Sequence, residues 1–280
     1  MLGMVNAQRK RELRRKYDTD RLRPLMRMGL DAVNTVETLG QRVLDLGRPP
    51  TPPLPAGSVT AVIKTFQRPR QVRRLVASIH RVQPDLDILV VDDNQAPEPI
   101  AGTELLAMPF NSGISAGRNA ALRQIETPYF VLLDDDFVFT RQTGLAGPIA
   151  TMESFPEIDI LGGAVVNLPD FKVNDYSAIT MTGHPALPRF PHGATIGGLP
   201  VYSKVPNFFV ARTERVRTVG WTEELKVLEH HEFFWRAWGE LTTVYDASWR
   251  VVHARNPFDR SSVERTENLA SARETLRRRY

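Results

Sequence analysis

A chain of 280 residues with 42% hydrophobic and 24% charged residues is too apolar for a disordered polymer and long enough for one large α/β domain. It holds no cysteine, which excludes a disulfide framework and a thiolate zinc site. The net charge of +4 is uneven: residues 1–30 carry nine Lys/Arg against three Asp/Glu, residues 247–280 eight Arg against four Asp/Glu, and the middle is acidic.

In chain order, residues 7–46 place Leu22, Leu25, Met26, Leu30, Val33 and Val36 at helical spacing and predict one or two amphipathic helices. Residues 1–48 are thus expected to form a basic helical extension. The proline run of 49–55 predicts an extended, stiff linker over 49–57. Strands and helices then alternate: strand 59–65 (VTAVIKT), helix 69–82, strand 86–91, short strand 104–108, helix 114–125 and strand 129–133. This alternation argues for a mostly parallel sheet flanked by helices, with ligands gathered beyond the carboxyl ends of its strands. Further strands are expected at 159–166, 207–211, 242–245 and 249–253, with a helix at 228–239. The Pro/Gly-rich stretch 167–199 reads as a loop over the site, and 255–280 as a basic tail or helix.

Chemistry concentrates at the strand ends. Asp134-Asp135-Asp136 directly follows five apolar residues, and three adjacent carboxylates repel unless a cation neutralises them. Oxygen ligands of this kind suit Mg²⁺ or Mn²⁺. Asp92-Asp93 ends the second strand, where a carboxylate can take a base N–H or a ribose hydroxyl, or simply close an Asx turn with Asn94. Thr65 and Arg68 lie in the first strand-to-helix turn, where backbone groups and Arg68 can hold a nucleotide. Neither the P-loop spacing nor a GxGxxG follows a strand, which disfavours a dinucleotide site. Glu229-His230-His231-Glu232 opens the last helix with candidate general bases, although Glu232 and Arg236 also have the spacing of an i,i+4 ion pair. Taken locally, His253 at the end of an apolar strand reads as a packed, hydrogen-bonded side chain. Phe208, Phe209, Phe233, Phe234 and Trp235 could floor a sugar site, though most such clusters are core.

The stretches KTFQRP (64–69), MPFNSGISAGRN (108–119), VLLDDDFVFT (131–140), LGGAVV (161–166), NFFVART (207–213) and EHHEFF (229–234), in this order, resemble the GT-A glycosyltransferases of family 2. Within it the similarity is greatest to β-1,4-N-acetylgalactosaminyltransferases of the ganglioside GM2-synthase type. The resemblance spans residues 59 to about 253. It implies a Rossmann-like GT-A domain over 58–254 that moves a sugar (GalNAc, GlcNAc, Gal or Glc) from a UDP-sugar to an acceptor hydroxyl with inversion. It further implies that Thr65, Arg68, Asp92, Arg118, Asn119, Asp134 and Asp135 serve the nucleotide-sugar, and that Asp136, Asp134 and His253 hold Mn²⁺ or Mg²⁺. The base stays open among His230, Glu229 and Glu232, because many family 2 enzymes have Glu-Asp where this chain has Glu229-His230.

Two other classes compete with this reading. A nucleotidyltransferase would use the same acidic metal site but wants a Gly-rich phosphate loop that KTFQRP does not supply. A non-catalytic glycan- or nucleic-acid-binding module would explain the basic ends, yet no recognition motif supports it. The expected acceptor is a glycan, lipid-linked or other hydroxyl. No run reaches the roughly 18 apolar residues of a membrane span, and the chain's start lacks a signal-peptide pattern. The expected setting is therefore cytoplasmic, with the basic N-terminus suited to an anionic membrane face or to contacts within a homo-oligomer.

Overall fold

A computed structural model describes residues 22–181, 184–256, 258 and 261–279. The first part of the predicted N-terminal helix, 7–21, lies outside the described residues. The described chain begins with helix α1, Arg23–Leu46. Strand β1 (Val59–Thr65) is buried throughout except at Lys64. Helix α2 (Pro69–Val82) starts on a proline, whose missing N–H costs nothing in a first turn, and buries Val72, Leu75, Val76, Ile79 and Val82. Strands β2 (Asp87–Asp92) and β3 (Glu104–Ala107), helix α3 (Ile114–Gln124) and strand β4 (Tyr129–Asp134) complete the first half.

The second half comprises β5 (Phe137–Val138), α4 (Ala146–Ser154), β6 (Ile160–Asn167), three two-residue strands, β10, α5, α6, β11 and α7. The short strands are β7 (Lys172–Val173), β8 (Thr195–Ile196) and β9 (Leu199–Pro200). The later elements are β10 (Phe209–Arg212), α5 (Thr213–Val219), α6 (Glu229–Ala237), β11 (Thr243–His253) and α7 (Ser261–Arg279).

One sheet runs in the order β3-β2-β1-β4-β10-β6-β11-β5. Its β3-β2-β1-β4 half is parallel as expected. The other half is mixed, because β10 runs antiparallel to both β4 and β6. Alternate strand residues feed two apolar layers. Ala61, Ile63 and Phe208 join α2 and α4 on one face, while Val62, Phe209, Phe233 and Phe234 join α3 and α6 on the other. The aromatics offered as a sugar floor are therefore mainly core. The two strands expected at 242–245 and 249–253 are one strand, β11, whose pairing with β6 shifts register between Asp246 and Arg250. The proline segment is extended but is no free spacer: Leu54 is buried, and Pro52 O accepts from Gln83 Nε2 at 3.0 Å.

Candidate functional site

The chain leaves β1 for β2 and β3 on one side, and returns as β4 on the other. The topological switch point of the sheet therefore falls between β1 and β4, where α/β sheets bind ligands. A cavity of about 520 Å³ opens there. Its walls come from the ends of β1 and β4, the turn before α3, the start of α6, the end of β11 and the segment 174–176. A wider depression of about 830 Å³ lies at the opposite ends of β1–β3 and carries none of the candidate residues.

Asp134 ends β4, in register with Lys64 of β1, and its side chain is 26% exposed. Asp135 and Asp136 are buried. The Arg68 guanidinium spans them, Nη1 donating to Asp135 and Nη2 to Asp136 Oδ2 at 2.7 Å, while Thr65 Oγ1 donates to Asp135 Oδ2 at 2.8 Å. The repulsion that argued for a metal in the sequence is thus already relieved by Arg68. Burial pushes the Asp135 carboxyl up to about 6 against the pull of Arg68. Burial also opposes ionisation of Asp136, but His253 and Arg68 outweigh it and hold that carboxyl well below the usual range.

His253 ends β11 in register with Asn167, the last residue of β6. Its Nδ1 lies 2.9 Å from Asn167 Oδ1 and its Nε2 3.1 Å from Asp136 Oδ1. An Nδ1–H bond to the Asn167 amide oxygen points Nε2 at Asp136, the orientation that a second partner gives a metal-binding histidine. Among the described residues no three carboxylate or imidazole groups converge on one point. Asp136 and His253 are paired to each other on the cavity wall, and against the effect of burial the carboxylate raises the imidazole pKa. Only with that contact opened would they offer an oxygen and a nitrogen donor that fit Mn²⁺ or Mg²⁺, with phosphate and water in the other positions.

The opposite wall is the start of α6. Leu228, just before it, has φ +65°, and Asn111 across the rim has φ +57°, both left-handed without being glycine. Glu229 Oε1 accepts from Arg118 Nη1 at 3.3 Å, and the same buried guanidinium reaches Asp134 Oδ1 through Nη2 at 3.3 Å. His230 lines the cavity, and its Nε2 is buried without a hydrogen-bond partner. Burial, with Lys204 and Arg118 nearby, holds this imidazole well below the usual histidine range, so it is neutral. Glu232 is elsewhere: it accepts from Thr222 Oγ1 at 2.7 Å and from Arg236 Nε at 2.6 Å, and it does not line the cavity. Glu232 is corrected from candidate base to helix anchor.

Thr65, Arg68, Asp134, Asp135, Asp136, Glu229, His230 and His253 are thus brought to one cavity. Three expected contacts are not. Asp92 caps the turn after β2, accepting from Asn94 N at 2.9 Å, and the cavity residue is Asp93. Asn119 ties α3 to the loop before α6 through both Trp221 N and Trp221 O at 2.8 Å. Arg118 sits behind the wall and acts through Asp134 and Glu229. Sequence reasoning missed Lys64, Lys204 and Tyr176, all on the cavity wall, and had Asp93 only as the second half of the Asp92-Asp93 pair. The signal for the first was present, as the one charge in an apolar strand; it bonds Asp93, which also accepts from Gly113 N at 2.9 Å. Lys204 and Tyr176 sit in irregular segments with no pattern to read.

A sheet of this order with an acidic strand end at its switch point is the GT-A architecture of glycosyltransferases. The model of glycosyl transferase family 2 matches residues 60–220, more than half of the chain. The chain belongs to that family. Human β-1,4 N-acetylgalactosaminyltransferase 1 is 38% identical over 194 residues, 65% of this chain and 36% of the relative. Mouse β-1,4 N-acetylgalactosaminyltransferase 2 is 35% identical over 189 residues, again 65% and 36%. The chain thus spans about a third of the length of the curated relatives it matches. Among solved structures, S. aureus TarS 1–349 superposes with a TM-score of 0.55 at 16% identity, covering 70% of this chain and 60% of that one. GalNAc-T7 with UDP, GalNAc and Mn²⁺ gives 0.53 at 13% identity, covering 70% and 43%. At such identities these two likenesses speak for the fold alone.

Proposed function

We propose that the domain transfers a sugar from a UDP-sugar to an acceptor hydroxyl, with inversion at the anomeric carbon. One observation carries the reading: a single cavity is lined by the Asp134–Asp136 run on one wall and on the other by His230, whose Nε2 is buried without a partner. The acceptor oxygen attacks the anomeric carbon and gives its proton to His230 Nε2 as the bond to the diphosphate oxygen breaks. A neutral imidazole with a free nitrogen suits that role. Glu229, held by Arg118, is spent as an ion-pair partner and positions the start of α6. Asp136 and His253, with Asp134 nearby, would hold Mn²⁺ or Mg²⁺. Bound there, the ion would supply positive charge to offset the negative charge growing on the departing UDP. Arg68 fixes Asp136 for that purpose, and Lys64 holds Asp93 at the nucleotide end. The names of the relatives favour N-acetylgalactosamine as the sugar, with a glycan as acceptor.

Calorimetry of UDP binding with Mn²⁺, with EDTA and with Asp136→Ala tests the donor site. Binding that needs Mn²⁺ and disappears in the variant is the expected result. Absence of UDP binding in every condition overturns the reading.

A further inference from the structure

Helix α1 is amphipathic the wrong way round for a packed helix. Its polar residues face the body: Asn34, Thr38 and Asp45 are buried. Asn34 Nδ2 donates to Arg255 O at 3.2 Å, and Asn256 Nδ2 donates to Arg27 O and Asp31 Oδ1 at 2.9 and 2.7 Å. Asp45 accepts from Arg141 N at 3.1 Å through either carboxylate oxygen. Its apolar residues face out. Ten of the fourteen large hydrophobic side chains that lie exposed among the described residues belong to Leu22–Leu46, with Leu25 at 65%, Val36 at 66% and Val43 at 66%. At 3.6 residues per turn they fill a charge-free arc about 160° wide. Gly29 and Gly40 lie open within it.

We propose that this face docks on an anionic lipid bilayer. Three observations select that occupant. The arc is broader than the narrow seam that pairs helices in a coiled coil. Residues 1–21, immediately before the helix, carry seven Lys/Arg against three Asp/Glu, so the face comes with a basic arm. An apolar helix face and a polybasic segment are the two signals that together hold a protein on a charged membrane surface. A parallel pair of copies through this face would instead bring two basic arms together. Among the described residues no helix is long and apolar enough to cross a membrane, so α1 lies on the surface.

Flotation of the full chain with vesicles of phosphatidylcholine, with and without 30 mol% phosphatidylglycerol, tests this. The expected result is binding to anionic vesicles at least tenfold above neutral ones, weakened by salt. Val36→Glu with Val43→Glu should abolish it while circular dichroism and melting temperature stay unchanged, since both side chains are exposed. Arg14→Gln, Arg15→Gln and Lys16→Gln together should lower it severalfold. Absence of binding to anionic vesicles, or binding indifferent to the glutamate pair, overturns the proposal. So does a stable dimer by light scattering that the glutamate pair dissociates, which would make a second copy the occupant.

Discussion

Two residues apart on α6, His230 and Glu232 are put to different uses because their side chains leave the helix in different directions. Glu232 is buried between Thr222 and Arg236, and Arg236 also donates to Val219 O and Gly220 O. Glu232→Ala leaves the half-buried Arg236 guanidinium without its carboxylate. The expected cost is about 2 kcal/mol, below that of a fully buried broken pair, because the guanidinium is partly hydrated and its two carbonyl partners remain. Urea denaturation measures it, and Glu232→Gln should lose markedly less. His230 behaves otherwise. Burial first, then Lys204 and Arg118, depress its pKa from the ordinary 6.5. The sign follows: above the ordinary value folded and unfolded chains are both neutral there, and below it the unfolded chain takes up the proton first, so stability falls as the pH drops. With the neutral imidazole as base, kcat/KM should be flat from pH 6.5 to 8, with its acid limb lower still. Removing one cation with Lys204→Ala should move that limb to higher pH, and a pH–rate profile that does not move would count against His230 as the base.

At the scale of elements, β6 shows how tightly the sheet is drawn around the site. A Cβ on Gly163 would lie 2.6 Å from Trp249 Cε3 and 2.7 Å from the Trp249 carbonyl oxygen, at the place where β11 slips register. Gly163→Ala should therefore cost about 1–3 kcal/mol by overpacking, read as a lower denaturation midpoint. It should also disturb the His253–Asn167 end of the same pair of strands. The early elements were legible because each announces itself: VTAVIKT, LDILVV and YFVLL are apolar runs of strand length, and Pro69 opens α2. Of the later ones β6, β10 and α6 were legible too, but β11 was split in two and α4 and α5 were missed, for physical reasons. β11 contains the half-buried Asp246 and the exposed Ala247–Ser248, which break the apolar pattern while the backbone stays extended. Helices α4 and α5, of nine and seven residues, are too short for a 3.6 period to declare itself. At the site, the Asp134–Asp136 and Glu229–His230 clusters were readable as clusters. Their partners were not, because Arg68, Arg118 and Asn167 meet them only through the fold.

For the whole molecule, the parallel half of the sheet carries Lys64, Thr65 and Asp134 of the cavity and the mixed half Asn167 and His253. The cavity lining balances its charges, Lys64, Arg68, Lys204, Lys226 and Arg255 standing against Asp93, Asp134, Asp135, Asp136 and Glu229. Four consecutive residues join the cavity to α1. His253 faces Asp136 in the cavity, while Arg255 and Asn256 accept and donate the bonds that hold α1. The helix and the pocket are therefore joined through this segment, while Asp45 ties the helix separately to Arg141. Thermodynamic reciprocity then applies: if occupation of the pocket changes how firmly α1 is held, capture of α1 by a surface must change pocket affinity by the same factor. Under that condition, where the molecule rests and what it holds would form one equilibrium.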